Sequence, residues 1–199
     1  MKKIIMFAMG LAMSASTLAE ETEKVETTIS GDIVSSYIWR GLDAGSTAVQ
    51  PTLGIGYKGL SLTAWGSYGL TNPDDTKEFD LTLGYSVGGF NIGITDYWFS
   101  VGLDPDARYF KYDAHGTNHI FEANVPFKLA TCDWTATAGV VPFATTFYGT
   151  EGFAVTNLAL KATKEIKVTD SFSIPVFGQV VANPCSQKAY LVLGFTLHP

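Results

Sequence analysis

Arg40, Glu78, Asp80, Glu122, Trp65 and Tyr97 are the side chains whose types and spacing could build a polar site. Arg40 closes the stretch SGDIVSSYIWRG, residues 30–41. Strand alternation there puts Ile33, Tyr37 and Trp39 on one side and Ser30, Asp32, Ser36 and Arg40 on the other. An arginine on a face that turns away from water needs a carboxylate partner. Glu78 and Asp80, two residues apart and so on one face of their own strand, are the nearest candidates. Two chemistries fit: an ion pair that pins strands together, or a charged constriction that selects anions or acidic solutes. Trp65, Tyr97, Tyr190 and Glu122 fall on the same polar face and would fill the space around that charge.

Other chemistries are poorly supplied. Asp113, His115 and His119 have loose spacing and no fourth ligand, so they read as solvated loop residues and no metal site is expected. Asp43, Asp74, Asp75, Asp104, Asp106 and Asp113 could hold Ca²⁺ or bridge divalent ions of a charged surface, but solvated loop charge is the simpler reading. No serine pairs convincingly with a histidine, so no catalytic residues, no enzyme and no cofactor are expected. The chain is acidic, with a formal charge of −6 and only two arginines, which disfavours nucleic acid as a partner.

The elements that must position these residues are short and repeat with period two. Ten such segments can be read: 28–40, 48–57, 60–70, 77–87, 90–100, 119–127, 133–142, 152–163, 171–181 and 188–198. In the fourth, Phe79, Leu81, Leu83, Tyr85 and Val87 oppose Glu78, Asp80, Thr82, Gly84 and Ser86. Asp96 interrupts the apolar face of the fifth, which predicts a bulge or a strand leaving its apolar surroundings. Lys58-Gly59 and Gly88-Gly89 read as two-residue hairpin turns. Longer polar connectors at 42–47, 71–76, 101–118, 143–151 and 182–187 alternate with them. The connector 164–170 falls on the short side without being short.

The polar face is Ser, Thr, Gly, Asn, Gln and a few charges. Ten strands of such a face cannot fill a core and offset the entropy of ordering the chain. Turned inside out, the pattern works, with apolar residues on lipid and polar residues around a central axis. The expected fold is therefore all-β: a single transmembrane antiparallel up-and-down β-barrel of about ten strands (range about 8–12). Tyr37, Trp39, Tyr68, Trp98 and Phe143 would form one aromatic girdle at the long-loop rim. Tyr57, Phe90, Phe127, Trp134 and Phe172 would form the other.

Residues 1–19 read as a cleaved signal peptide: Lys2 and Lys3, an apolar run from Ile4 to Ala15, then Thr17-Leu18-Ala19. Removing its two lysines takes the formal charge from −6 to −8. Residues 20–199 then form one barrel domain in the Gram-negative outer membrane. Its partners would be outer-membrane lipid, lipopolysaccharide and, during insertion, the barrel-assembly machinery. Cys132 and Cys185 fall near opposite ends of that barrel, so no disulfide is expected between them.

The opening strand with its Ser36-Tyr37-Ile38-Trp39-Arg40-Gly41 end, followed by Val49-Gln50-Pro51, LSLTAWGS (60–67) and EFDLTLGYS (78–86), resembles the TorF-like porin family. The resemblance covers about residues 30–100. It implies an exported bacterial barrel and says little about substrate. Small barrels are filled by their own side chains, whereas wide channels need about sixteen strands. The expected function is thus a narrow channel for small solutes with a partly filled lumen. The alternative is a non-conducting structural or adhesive envelope barrel acting through acidic loops.

Overall fold

The structure is a computed structural model that describes residues 24–87, 90–100, 121–146 and 148–199. Within 90–100 only Gly93 and Thr95 are described beyond the backbone. Among the described residues every regular element is a strand. These are β1 (Glu26–Val34), β2 (Tyr37–Trp39), β3 (Leu42–Gly45), β4 (Ala48–Tyr57), β5 (Leu60–Gly69) and β6 (Lys77–Val87). They continue with β7 (Phe90–Ser100), β8 (Phe121–Leu129), β9 (Cys132–Val141), β10 (Ala154–Lys167), β11 (Ser173–Asn183) and β12 (Lys188–Leu197).

Ten strands form one antiparallel sheet in the order β7-β6-β5-β4-β1-β12-β11-β10-β9-β8. Neighbours in sequence are neighbours in space, and β1 pairs with β12, so the first and last strands meet. Lys58 and Gly59 both take positive φ, the type I′ geometry whose twist suits a two-residue hairpin. Ala130-Thr131 is a second two-residue turn, because β8 and β9 run further than their alternation suggests. Residues Lys164–Lys167 continue β10, leaving only 168–172 between β10 and β11. The ladder of β6 and β7 passes Asp96 without a shift in register, so no bulge lies there.

The sheet is inside out by the standard of a soluble protein. Along β4, Ala48 and Gln50 are buried and Thr52, Gly54 and Gly56 half-buried, while on the other face Val49 is half-buried and Pro51, Leu53, Ile55 and Tyr57 are exposed. Along β6, Glu78 and Asp80 are buried while Phe79, Leu81, Leu83, Tyr85 and Val87 are exposed. Leu53, Leu83 and Leu193 are 56, 50 and 55% exposed and form no common core. Among the described residues thirty large apolar side chains are exposed against nine apolar residues buried. A soluble monomer rarely shows a contiguous apolar patch beyond a few hundred Å².

The first strand departs from expectation. A single run over 28–40 is replaced by β1 and a separate two-stranded sheet of β2 and β3. Ser35 ends the ladder: its N–H donates to the Leu193 carbonyl at 2.8 Å and its Oγ accepts from the Leu193 N–H at 2.9 Å. Beyond it, Arg40 (φ 50°) and Gly41 (φ 79°) make a type I′ turn that folds Tyr37–Gly45 back as a hairpin. That hairpin packs on the polar face. Tyr37 and Trp39 therefore do not join an outward girdle. Tyr37 is buried with Val34, Ala48, Phe177 and Val192, and Trp39 is half-buried against the same cluster. Tyr57, Tyr68 and Phe127 are exposed on the outer face, Phe143 and Phe172 are exposed in connectors, and Trp134 is half-buried, stacked on Phe127. Phe90 and Trp98 lie outside the residues whose side chains are described.

The hairpin also shows that the sheet curls. β6 is second and β8 tenth in the strand order, eight steps apart. In a flat sheet that is about 38 Å at the usual strand spacing. Yet Tyr37 bonds Glu78 of β6, and Arg40, three residues on, faces Glu122 of β8. Three residues of chain span at most about 10 Å. Even with the side chains extended, the polar face must be concave and wrapped around the hairpin.

Candidate functional site

The hairpin and the concave face around it form a continuous buried polar layer near the ends of the strands that carry the longer connectors. Gly41 is required at the hairpin's tip. A Cβ there would come within 2.1 Å of the Thr156 carbonyl oxygen, and its φ is positive. The Gly41 carbonyl accepts from Asn183 Nδ2 at 3.1 Å, tying the tip to the end of β11.

Arg40, 9% exposed, sits beside the tip. Its Nε lies 3.9 Å from Glu122 Oε2, an ion pair at contact range rather than a tight bidentate one. Its guanidinium carbon is 4.6 Å from the centroid of the Trp39 ring, where cation–π attraction applies. Glu122 Oε2 also accepts from Asn157 Nδ2 at 3.0 Å. Trp39 stacks on Tyr148, centroids 6.3 Å apart and planes 14° from parallel. Burial raises the Tyr148 phenol above its ordinary value while Arg40 nearby acts the other way. The hydroxyl is therefore a neutral group at physiological pH.

Glu78 and Asp80 line the other side of the hairpin, 5 and 8% exposed. The Tyr37 hydroxyl donates to Glu78 Oε2 at 2.6 Å. Tyr37 packs on Trp65 at 5.6 Å between centroids, planes tilted by 54°. Gln50 Nε2 donates to Ser67 Oγ at 3.2 Å in the same buried layer.

Alternation thus placed Arg40, Glu78, Asp80, Trp65 and Glu122 on one face, and the structure brings them together around one hairpin. Arg40 lies near Glu78, and it also stands within ion-pair range of Glu122 of β8, because the hairpin tip points across the concave face. Glu78 also accepts from Tyr37. Tyr97 pairs with Asp80 in the β6–β7 ladder, and its side chain is outside the described residues. Tyr37 was read from the sequence as a girdle residue, and Gly41, Tyr148, Asn157 and Asn183 were not singled out as site residues. An Arg-Gly pair flanked by short alternating runs was the available signal for the first two.

Exposure along the concave face is graded. On β4, Ala48 and Gln50 are buried and Thr52, Gly54 and Gly56 half-buried. On β9, Gly139 is buried and Thr137 and Thr135 half-buried; on β10, Asn157 and Ala159 are buried and Lys161 and Thr163 half-buried. Burial therefore falls from the hairpin toward the short turns along a face rich in threonine hydroxyls. Lys161 sits on that face, its Nζ 3.8 Å from the Phe177 ring centroid. Among the described residues no group of three or more His, Cys, Asp or Glu is placed to hold a metal. Asp113, His115, His119, Asp104 and Asp106 lie outside them. Asp75 is not simply solvated: the Ser46 N–H donates to its Oδ2 at 2.9 Å and the Ser46 hydroxyl donates to the same oxygen.

Cys132 and Cys185 are free thiols, the first beside the β8–β9 turn and the second in the β11–β12 turn at the other end of the strands. Compared with known proteins, the chain matches no family model, no curated protein and no solved structure.

Proposed function

We propose that this chain is a small outer-membrane β-barrel, exported by a cleaved signal peptide over residues 1–19, with a narrow passage for small solutes that its own β2–β3 hairpin holds shut. The observation that carries this reading is the orientation of the sheet. The exposed apolar band is what hydrocarbon demands of a barrel's outer surface, and the buried acids and hydroxyls are what water or solute demands of its inside. Closure follows from the same need. In lipid an open strand edge leaves N–H and C=O groups unsatisfied at several kcal/mol each. β7 and β8, the two edges of the sheet, then pair with one another.

The partners of such a barrel are outer-membrane lipid, lipopolysaccharide and the barrel-assembly machinery. The likeness of residues 30–100 to TorF-like porins agrees with this location. An adhesive or structural barrel is the second reading, favoured by the buried layer around the hairpin. Planar-bilayer recording of the folded protein separates the two. Brief openings in the wild type, and sustained conductance once Tyr37–Gly45 is replaced by a short glycine-serine link, support a passage. A shortened variant that folds, inserts and remains silent overturns it.

A further inference from the structure

We propose that Asp75 is the latch of the β2–β3 hairpin: its carboxylate holds the hairpin's base to the connector at 70–76, so that this connector governs whether the hairpin stays seated. The proposal rests on the barrel reading for its effect on conductance. The hairpin hangs on two short links, Ser35-Ser36 and Ser46-Thr47. Ser35 is bonded both ways to Leu193 of β12, and Thr47 Oγ1 donates to the Ser35 carbonyl at 3.2 Å. The Leu70 N–H donates to the Thr47 carbonyl at 2.7 Å. Ser35 and Thr47 are thus fixed to the sheet and to each other, and the chain between them is the part that can swing.

Ser46, just inside the second fixed point, is held by the connector. Its N–H donates to Asp75 Oδ2 at 2.9 Å, and its hydroxyl donates to the same oxygen. Ser46 Oγ also lies 2.8 Å from Thr71 Oγ1. The other carboxylate oxygen, Oδ1, accepts from Asn72 Nδ2 at 2.9 Å, and the Asp75 N–H donates to the Asn72 carbonyl at 3.2 Å. The connector therefore presents a carboxylate fixed by its own loop, with both oxygens in use. Hydrogen bonds to an ionised acceptor are roughly twice as strong as neutral ones.

The space around this side chain is a second, independent observation. Gly45 ends β3 and Gly69 ends β5. A Cβ on Gly69 would come within 2.8 Å of Asp75 Cβ and Oδ2, and one on Gly45 within 3.4 Å of Asp75 Cγ. Neither glycine takes a positive φ, so backbone freedom does not call for them; their missing side chains leave the room in which Asp75 lies. The carboxylate thus sits between the end of the hairpin and the end of a sheet strand. Further into the hairpin, Tyr37 on Glu78 and Gly41 on Asn183 complete its seat, and a shift of the connector reaches them through Ser46.

Hydrogen exchange of the protein folded in detergent micelles reads the latch directly. Asp75→Asn can accept on one side-chain oxygen only, and Gly69→Ala pushes the carboxylate aside while leaving Asp75 and Ser46 in the chain. Each should speed exchange over 37–45 by about tenfold, the equivalent of one hydrogen bond to a charged group, with β4 and β6 unchanged. A lock tests the converse. In a Cys132→Ser, Cys185→Ser background, Ser46→Cys with Thr71→Cys puts two thiols where the hydroxyl oxygens stand 2.8 Å apart. Oxidation should slow exchange over 37–45, and dithiothreitol should reverse it. Unchanged exchange over 37–45 in Asp75→Asn, a rise shared equally by β4 and β6, or an oxidised pair that exchanges as fast as the reduced one overturns the latch; Asp75→Asn decides alone if Gly69→Ala does not fold. Faster exchange in Asp75→Asn beside a bilayer that stays silent even with the shortened hairpin overturns the passage alone. Conductance in the shortened variant, with exchange and opening frequency both unchanged in Asp75→Asn, overturns the latch alone.

Discussion

The hydroxyl of Tyr37 reaches Glu78 across 41 residues of sequence, at 2.6 Å, with both side chains buried. The bond ties a hairpin that the sheet does not include to a strand that belongs to it. Tyr37→Phe deletes the donor and keeps the ring on Trp65. It leaves a buried carboxylate oxygen without a partner, at a cost of about 1–3 kcal/mol. Urea unfolding of the lipid-inserted protein should show that loss, and Tyr37→Phe combined with Glu78→Leu should recover part of it.

Gly41 is the tightest point of the hairpin. Its φ of 79° disfavours any side chain, and a Cβ would meet the Thr156 carbonyl at 2.1 Å. Gly41→Ala cannot keep the tip in place, because the obstacle is backbone rather than a side chain that could rotate away. The expected outcome is a displaced hairpin on an intact sheet. Trp39 leaves Tyr148, tryptophan emission shifts to the red, and amide protection is lost over 37–45 while β4–β6 stay protected. Loss of all strands together would show that the hairpin is part of the folding core.

The apolar face permits a test of orientation that no inner-face contact can confuse. Leu83 is half exposed in the lower middle of β6 and pairs with Leu62 of β5. Against hydrocarbon, Leu83→Arg should destabilise the folded protein by about 2–4 kcal/mol, the cost of a cation near the bilayer midplane. On a water-facing surface the same change is worth about 0.5 kcal/mol or less. Equilibrium unfolding from lipid vesicles distinguishes the two figures.

Asp75 gives the longer connectors a pH response. The Ser46 hydroxyl, then the Ser46 N–H and Asn72, hold its carboxyl below the ordinary 3.8, against a smaller opposing effect of burial. The folded form therefore prefers the carboxylate. Its contribution is complete above the unfolded value and is lost as pH falls through the lower folded value. The Ser46 amide should be protected from exchange at neutral pH and lose protection only as pH falls below the ordinary 3.8, and Asp75→Ala should abolish that dependence. The effect is local, since a half-buried carboxyl in a connector adds little to global stability.

Much of the sheet was legible because strand geometry imposes one period. The segments read at 48–57, 77–87 and 90–100 match β4, β6 and β7 to the residue. The hairpin escaped because a strand that doubles back keeps the same alternation as one that continues. Only Arg40-Gly41, two consecutive residues at positive φ, marks the reversal. The charges in Lys164–Lys167 suggested a loop, yet β10 carries them past the apolar band by pairing with β11. The polar site was half legible. Alternation put Arg40 and the acids on one face, but which acid meets Arg40 depends on curvature, which a one-dimensional pattern does not contain.

The two free cysteines turn that curvature and orientation into a measurement in cells. Cys132 begins β9 beside the two-residue turn at Ala130-Thr131, and Cys185 is exposed in the β11–β12 turn, within 3.9 Å of the Gly149 carbonyl. Strand β9 and its neighbours separate the two ends by about ten residues, roughly 33 Å of extended chain. That distance exceeds the about 7 Å limit for a bridged pair, so the thiols remain independent reporters. In outer-membrane barrels short turns face the periplasm and long loops the exterior. A membrane-impermeant maleimide applied to intact cells should therefore modify Cys185 and spare Cys132, whereas both should react after the outer membrane is permeabilised. Modification of Cys132 alone would invert the barrel, and equal labelling in intact cells would remove the membrane from between the two ends.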